Sequence, residues 1–478
     1  MKLTNNQKWI LAALSVPTLC LCLLALYFVP PVHDRLAWRV EEARLRLQYS
    51  LHPPARDVFV PQQGQPAGLV VQPAVTVIVG GAGDASTPVP PAATPSPAAV
   101  TAAPTLLPEL QAQLAATAAA QAADPAAASP AAPTAPPALL TPTATLPPLP
   151  SSARVPGIKY EDQHTGTNNC APANLSMMLT FWGWEGSRDV IAPVLKPLGR
   201  DKNVMPYEMV DAVNATTPYR ALTRIGGDLE VIKRFIANGY PVLLEKGIYL
   251  RDLSGVVSWM GHYQVVNAYD DASSTFITQD SYIEPDHEVS YADMIENWRA
   301  FNYTYILVYP PEQETQVLAL LGADADETAN AQNAALKASN EIYGLSGIDQ
   351  YFAWFNRGSS LAALDDYMGA GAAYDEAFKV YPTLPEKDRP WRMLWYQTGP
   401  YFAYYYSQRY YDLLYLADGT LAAMQSDKNL EESYYWRGMA RAALGDTAAA
   451  IEDFKLALQF HPGFGPALYQ LQVMGVQP

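Results

Sequence analysis

Gln163-His-Thr-Gly-Thr-Asn-Asn-Cys170-Ala-Pro-Ala-Asn-Leu-Ser-Met-Met178 is the stretch on which the fold turns. Leu175, Met178, Leu179 and Trp182 recur at helical spacing and Gly183 follows, so the pattern predicts a helix over Ala171–Trp184 with the Cys170 thiol at its start. The unpaired amide groups of a helix N-terminus carry partial positive charge, which lowers the pKa of a cysteine there and favours the thiolate, the form that attacks carbonyl carbon. A cysteine in apolar company is otherwise an ordinary core residue, so the rest of the chain has to decide between the two.

Downstream, Gly261-His262-Tyr-Gln-Val-Val-Asn-Ala-Tyr269 puts a histidine at the head of a predicted strand, and Gln279-Asp280-Ser281 ends the next one. A histidine and a carboxylate so placed on adjacent antiparallel strands can stand as a base and its orienting group. Around them, Pro241-Val-Leu-Leu-Glu245, Phe276–Gln279 and Tyr303–Tyr309 also read as strands, while Asp228 caps a helix that Gly239 stops. Helices come first and the sheet later, an α+β order.

The segments NNCAPANLSMML, GHYQVVNAYDD and TQDSY resemble the bacteriocin-processing, double-glycine peptidase-like branch of the papain-like cysteine peptidases, over about a third of the chain. The resemblance implies Cys170 as nucleophile, His262 as base, Asp280 as its orienting partner and Gln163 as an oxyanion-hole donor beside the Cys170 backbone N–H. It also implies hydrolysis of a peptide or related amide with no cofactor. Relatives usually carry glycine after the nucleophile, where this chain has Ala171. That departure keeps open a weak or inactive papain-fold module that binds peptide or cell wall, and the same residue set also admits acyl transfer.

Past Gln313 the chain reads as helical, and residue types recur eighty positions apart: Trp354 with Tyr434, Gly358 with Gly438, Ala370 with Ala450, Tyr374 with Phe454, Ala377 with Ala457, Pro382 with Pro462. This order resembles the tetratricopeptide repeat, whose period of about 34 residues leaves a further helix pair and roughly twelve extra residues between, around Trp391–Leu430. Three repeats then stack as an all-α solenoid, a surface for a protein partner.

The run Trp9–Val29 is apolar and of the length that crosses the ~30 Å hydrocarbon core, longer than the ~7–15-residue core of a cleaved signal peptide. It predicts a single transmembrane helix, extended by a juxtamembrane helix over Asp34–Ser50, with the bulk of the chain outside the cytoplasm. A tract dominated by proline, alanine and threonine follows, too poor in apolar surface to fold, with one short apolar patch over Gly68–Gly80. The expected plan is an anchor over 1–52, a disordered stalk over 53–152, the peptidase domain over 153–311 and the repeats over 312–478.

Lys+Arg number 31 against Asp+Glu 47, a formal charge of −16, which argues against nucleic acid as a partner. With three cysteines, two of them (Cys20 and Cys22) in the apolar run, no disulfide framework is expected, and six scattered histidines give no expectation of a metal site.

Overall fold

The computed structural model describes residues 148–164, 168–199, 203–251, 257–424 and 428–478, together with Tyr27, Arg39, Val40, Ala43, Arg44, Leu47 and Leu51, which are helical. Apart from Tyr27, the expected span 9–29 lies outside the described residues, as do 53–147 of the expected stalk. Among the described residues no helix is long and apolar enough to cross a membrane.

The helix expected from Ala171 is Cys170–Phe181 (α1), and Pro172 sits in its first turn, where a missing N–H costs nothing. Two further helices, Arg188–Leu195 (α2) and Pro206–Thr216 (α3), complete one layer. Leu229–Ala237 (α4) is capped as expected, the Asp228 side chain accepting from the Val231 N–H, and Gly239 follows with φ +88°. Tyr291–Arg299 (α5) is capped in the same way by Ser290.

The strands are Ser152–Arg154 (β1), Arg220–Arg224 (β2), Val242–Arg251 (β3), Val257–Asp270 (β4), Thr275–Asp280 (β5), Glu284–Ser290 (β6) and Tyr305–Tyr309 (β7). They form one sheet in the order β2-β7-β3-β4-β5-β6, with β1 paired to the end of β4, and each pairing is antiparallel. Alternation sorts their side chains. Leu243, Tyr263, Val265, Ile306 and Val308 face α1, α2 and α3, whereas Val242, Leu244, Val266, Tyr305 and Leu307 pack with α4, α5 and the helix Glu314–Leu321 (α6). The sheet is therefore buried on both faces.

Three differences from the sequence reading matter. His262 does not head its strand: β4 begins at Val257, because residues 257–261 pair with β3 as far as Arg251. Tyr303 is not in a strand, since Asn302 and Tyr303 both have positive φ and turn the chain into β7. The polar β6 was not expected, and its exposed charges suit the sheet edge it occupies.

Beyond the sheet lie Glu327–Gly344 (α7), then the pair Gly347–Ala362 (α8) and Tyr367–Val380 (α9). After an insert at 381–398 that contains the short helix Met393–Tyr396 (α10) come Gly399–Tyr406 (α11) and Tyr410–Ala423 (α12). Glu431–Ala443 (α13), Thr447–Phe460 (α14) and Gly465–Val473 (α15) end the array. The matched glycines show why the spacing recurs. A Cβ at Gly358 would lie 2.7 Å from the Tyr374 ring, and one at Gly438 would lie 2.8 Å from the Phe454 ring, so each pair of helices closes an aromatic onto a glycine.

The helical array packs directly on the sheet domain. Arg299 Nη1 donates to Asp349 Oδ1 at 2.6 Å, Asn356 Nδ2 donates to the Arg299 carbonyl at 2.7 Å, and Lys337 Nζ lies 3.3 Å from the Tyr303 ring centroid. Residues 148–478 fall within one compact unit.

Candidate active site

Cys170 is the first residue of α1, and its sulfur sits where the Asn169 carbonyl has begun the helix by accepting from the Ala173 N–H. His262 adjoins the thiol closely enough for the two side chains to act on each other's protonation. The other edge of the imidazole is spoken for: His262 Nε2 lies 2.8 Å from Asp280 Oδ1, which leaves Nδ1 for the sulfur. Asp280 ends β5 as expected, and its Oδ1 also accepts from the amides of Tyr282 and Ile283 at 3.0 and 3.1 Å. Both members of the His262–Asp280 pair are buried.

The electrostatics follow from these neighbours. Burial pushes the Cys170 thiol up, but the hydrogen bond and charge of His262, the Tyr263 backbone and the nearby Lys196 ammonium outweigh it and leave the thiol below its ordinary pKa. For His262 burial acts downward, and the Asp280 carboxylate together with the thiolate raises it to about 9. Burial would raise Asp280, yet His262 and Lys246 hold it far below the carboxylate range. Both directions favour a thiolate beside an imidazolium.

Gln163 reaches the same place. Its backbone N–H donates to the Ser281 carbonyl at 3.0 Å, and its Oε1 accepts from Ser281 Oγ at 2.7 Å, so the amide is oriented with Nε2 as the remaining donor. Ser281 in turn accepts from Asn174 Nδ2, which also donates to the Cys170 and Tyr263 carbonyls, all at 2.8–2.9 Å. One buried asparagine, a turn along α1 from the thiol, thus straps the cysteine helix to the histidine strand and to the loop after Asp280. Ala171 is 1% exposed and belongs to the apolar layer between α1 and the sheet, so its methyl group is absorbed by packing.

Residues 155–306 match the model of the Peptidase_C39 like family, and residues 431–462 match that of the tetratricopeptide repeat. The chain carries a C39-like peptidase domain followed by a tetratricopeptide repeat. Among solved structures, a chain from Bacillus anthracis described as a C39-like peptidase is 15% identical, with 33% of this chain and 96% of that one covered at a TM-score of 0.28. No curated protein matches significantly.

Four residues of the C39-like site escaped the sequence reading. Lys246, opposite His262 in the β3–β4 register, donates to Asp280 Oδ2 at 3.1 Å and to Gln264 Oε1 at 2.6 Å from a fully enclosed position. Lys196 donates to the Asn168 carbonyl at 3.2 Å, just before the nucleophile. Glu245 is buried near Cys170, and that burial pushes its carboxyl well above the usual range. Asn174 is the fourth; a polar residue on the buried side of an apolar helix was its one signal. His164 is exposed and pairs with Asp162.

One group of metal-ligating side chains was also missed, because its members are far apart in sequence. Glu208, Glu431 and His461 bring ligand atoms within 4.8 Å of one another, and His461 Nδ1 lies 2.8 Å from Glu431 Oε1 in a hydrogen bond. The thiol chemistry does not call on them.

Proposed function

We propose that the C39-like domain is a thiol hydrolase that cleaves a peptide or related amide through Cys170, His262 and Asp280. The observation that carries this reading is the buried His262–Asp280 pair beside the thiol at the head of α1, with Asp280 on Nε2 and the imidazole acting on the Cys170 sulfur. The Cys170 thiolate attacks the carbonyl carbon, forming a C–S bond, and the carbonyl π electrons move to oxygen. Gln163 Nε2 and the Cys170 N–H stabilise that oxyanion, a donor of this kind being worth about 10²–10³ in rate. The imidazolium gives its proton to the departing amine as the C–N bond breaks. Water, deprotonated by His262, then cleaves the thioester, and sulfur leaves as thiolate.

Asp280 holds the ring and stabilises its cationic form throughout. The packing of Ala171 into the helix–sheet layer supports the active reading over an inactive binding module. The membrane anchor at 9–29, the placement outside the cytoplasm and the recruitment of substrate or partner by the repeats complete the proposal. Purified full-length protein and its Cys170→Ala variant, compared on a peptide library, test it: turnover lost with the sulfur is expected. Turnover that survives the substitution removes the assignment, and undiminished peptide binding without turnover in either protein favours the binding module.

A further inference from the structure

Past Pro382, which matches Pro462, the insert has no counterpart in the repeat that matches the family model; Tyr381 packs on Tyr351 of α8, whereas the aromatic residues further along turn toward the sheet domain. Trp391, Met393, Leu394 and Trp395 are buried in the same core as Trp259, Ala300 and Phe301 of the C39-like domain. Trp259 lies three residues before His262 on β4. Its ring stacks on Phe301 at 5.6 Å and 9°, and meets Tyr396 of the insert edge-on at 5.8 Å.

The backbone is held as closely as the ring. Arg392 Nη1 donates to Ser258 Oγ at 2.5 Å and to the Trp259 carbonyl at 3.2 Å, while its guanidinium lies 3.9 Å from the Trp391 ring centroid. On the paired strand, Tyr249 OH donates to the Asp388 carbonyl at 2.9 Å. Gly261, directly before His262, is where the approach is tightest: a Cβ there would lie 2.8 Å from Phe301 Cζ and 2.9 Å from Tyr396 Cδ1. Its partner Gly247 would likewise drive a Cβ to 2.5 Å from the Trp259 ring nitrogen.

We infer that this insert is a clamp on the histidine strand, with Arg392 and Tyr396 as positioning residues for His262, an inference that rests on the Cys170–His262 reading above. The imidazole must meet two partners at once, the sulfur and Asp280. A loss of order of an ångström in such a constellation costs about 10²-fold. Residues 258, 259 and 261 fix where β4 delivers the ring, and each is fixed by the insert rather than by the sheet domain alone. The repeat array is then part of the machinery that makes the thiolate, in addition to any partner it binds.

The experiment is the rate of iodoacetamide alkylation of Cys170 against pH in the full-length protein, read on the Cys170 peptide by mass spectrometry so that Cys20 and Cys22 do not contribute. Arg392→Met and Tyr396→Ala are expected to move the thiol titration toward the ~8.5 of a free cysteine and to slow alkylation at pH 6 at least tenfold. Tyr396→Phe, which keeps the ring, is expected to retain the wild-type profile. Lys337→Met, a change at the same domain interface away from β4, is expected to lower the melting temperature without moving the titration. Folded Arg392→Met and Tyr396→Ala proteins with the wild-type profile would overturn the clamp, as would an equal shift in Lys337→Met. A wild-type profile that is already that of an ordinary thiol, and is indifferent to His262→Ala, would instead overturn the catalytic reading and the clamp with it.

Discussion

Lys246→Met removes one ammonium from beneath the site and keeps most of the apolar stem. The ion pair it breaks is enclosed, with 4% and 0% of the two side chains exposed and 3.1 Å between Nζ and Asp280 Oδ2. At an effective dielectric of ~20, unit charges at that distance attract by about 5 kcal/mol, and removing one member of a buried pair typically costs about 3–5 kcal/mol. At roughly 2–4 °C per kcal/mol for a domain of this size, the melting temperature should fall by about 6–20 °C.

The same substitution should alter the chemistry in a definite direction. Asp280 keeps His262 and two backbone amides, so its field falls undivided on the imidazole, whose pKa rises from about 9. A raised histidine pKa means that the proton stabilises the fold fully below the unfolded value of ~6.5 and is lost as pH climbs through the folded value. In Lys246→Met that loss moves to higher pH. The ratio of Cys170 alkylation by iodoacetate to that by iodoacetamide reads the charge beside the sulfur, and it should stay high to more alkaline pH than in wild type. The double variant Lys246→Met/Asp280→Asn should be less destabilised than the sum of the two singles. A melting temperature within about 2 °C of wild type, together with an unmoved alkaline fall of the ratio, would refute this account of Lys246.

Asn174→Leu should remove the buried amide that bridges Cys170, Tyr263 and Ser281, at a cost of about 1–3 kcal/mol, and so lower both the melting temperature and the alkylation rate at pH 6; an unaltered rate in a folded variant would count against the strap. Glu245 has its folded pKa raised, so folding takes up a proton and stability declines as pH rises above ~4.3. Glu245→Gln should flatten that decline and stabilise the protein at pH 8 relative to wild type, measured by denaturant melts across pH; an equal slope would contradict it. Gly438→Ala should cost about 1–3 kcal/mol by driving a methyl group against Phe454, and circular dichroism melts that show no change would remove the aromatic-on-glycine account of the repeats.

The cysteine helix was legible because apolar residues recur at helical spacing, and the Asp228 cap was legible because its chemistry is local. The eighty-residue recurrence exposed the matched helix pairs, since Gly358 and Gly438 each answer a steric demand set within their own repeat. His262 and Asp280 were assigned to neighbouring strands from the strand pattern, but the start of β4 at Val257 and the register that sets Val265 opposite Gln279 were not read. The upstream half of β4 was not legible: Val257-Ser-Trp-Met-Gly lacks clean alternation, and its burial comes from Arg392 and Tyr396, more than a hundred residues away. Lys246, Lys196 and Asn174 were missed for the same reason, because a lysine facing a carboxylate and an asparagine bridging three segments look like any others until the chain closes. Gln163 was named by resemblance, and only the structure supplies Ser281 as the residue that orients it.

The most direct test of the central claim is the titration of Cys170 reactivity toward iodoacetamide in wild type against His262→Ala. Thiolates paired with histidine titrate at roughly pH 3.5–7.5, and a free cysteine near ~8.5. The account predicts fast alkylation persisting below neutrality in wild type and displaced to the free-thiol range in His262→Ala. A wild-type curve that follows an ordinary thiol, the same with and without His262, would contradict it.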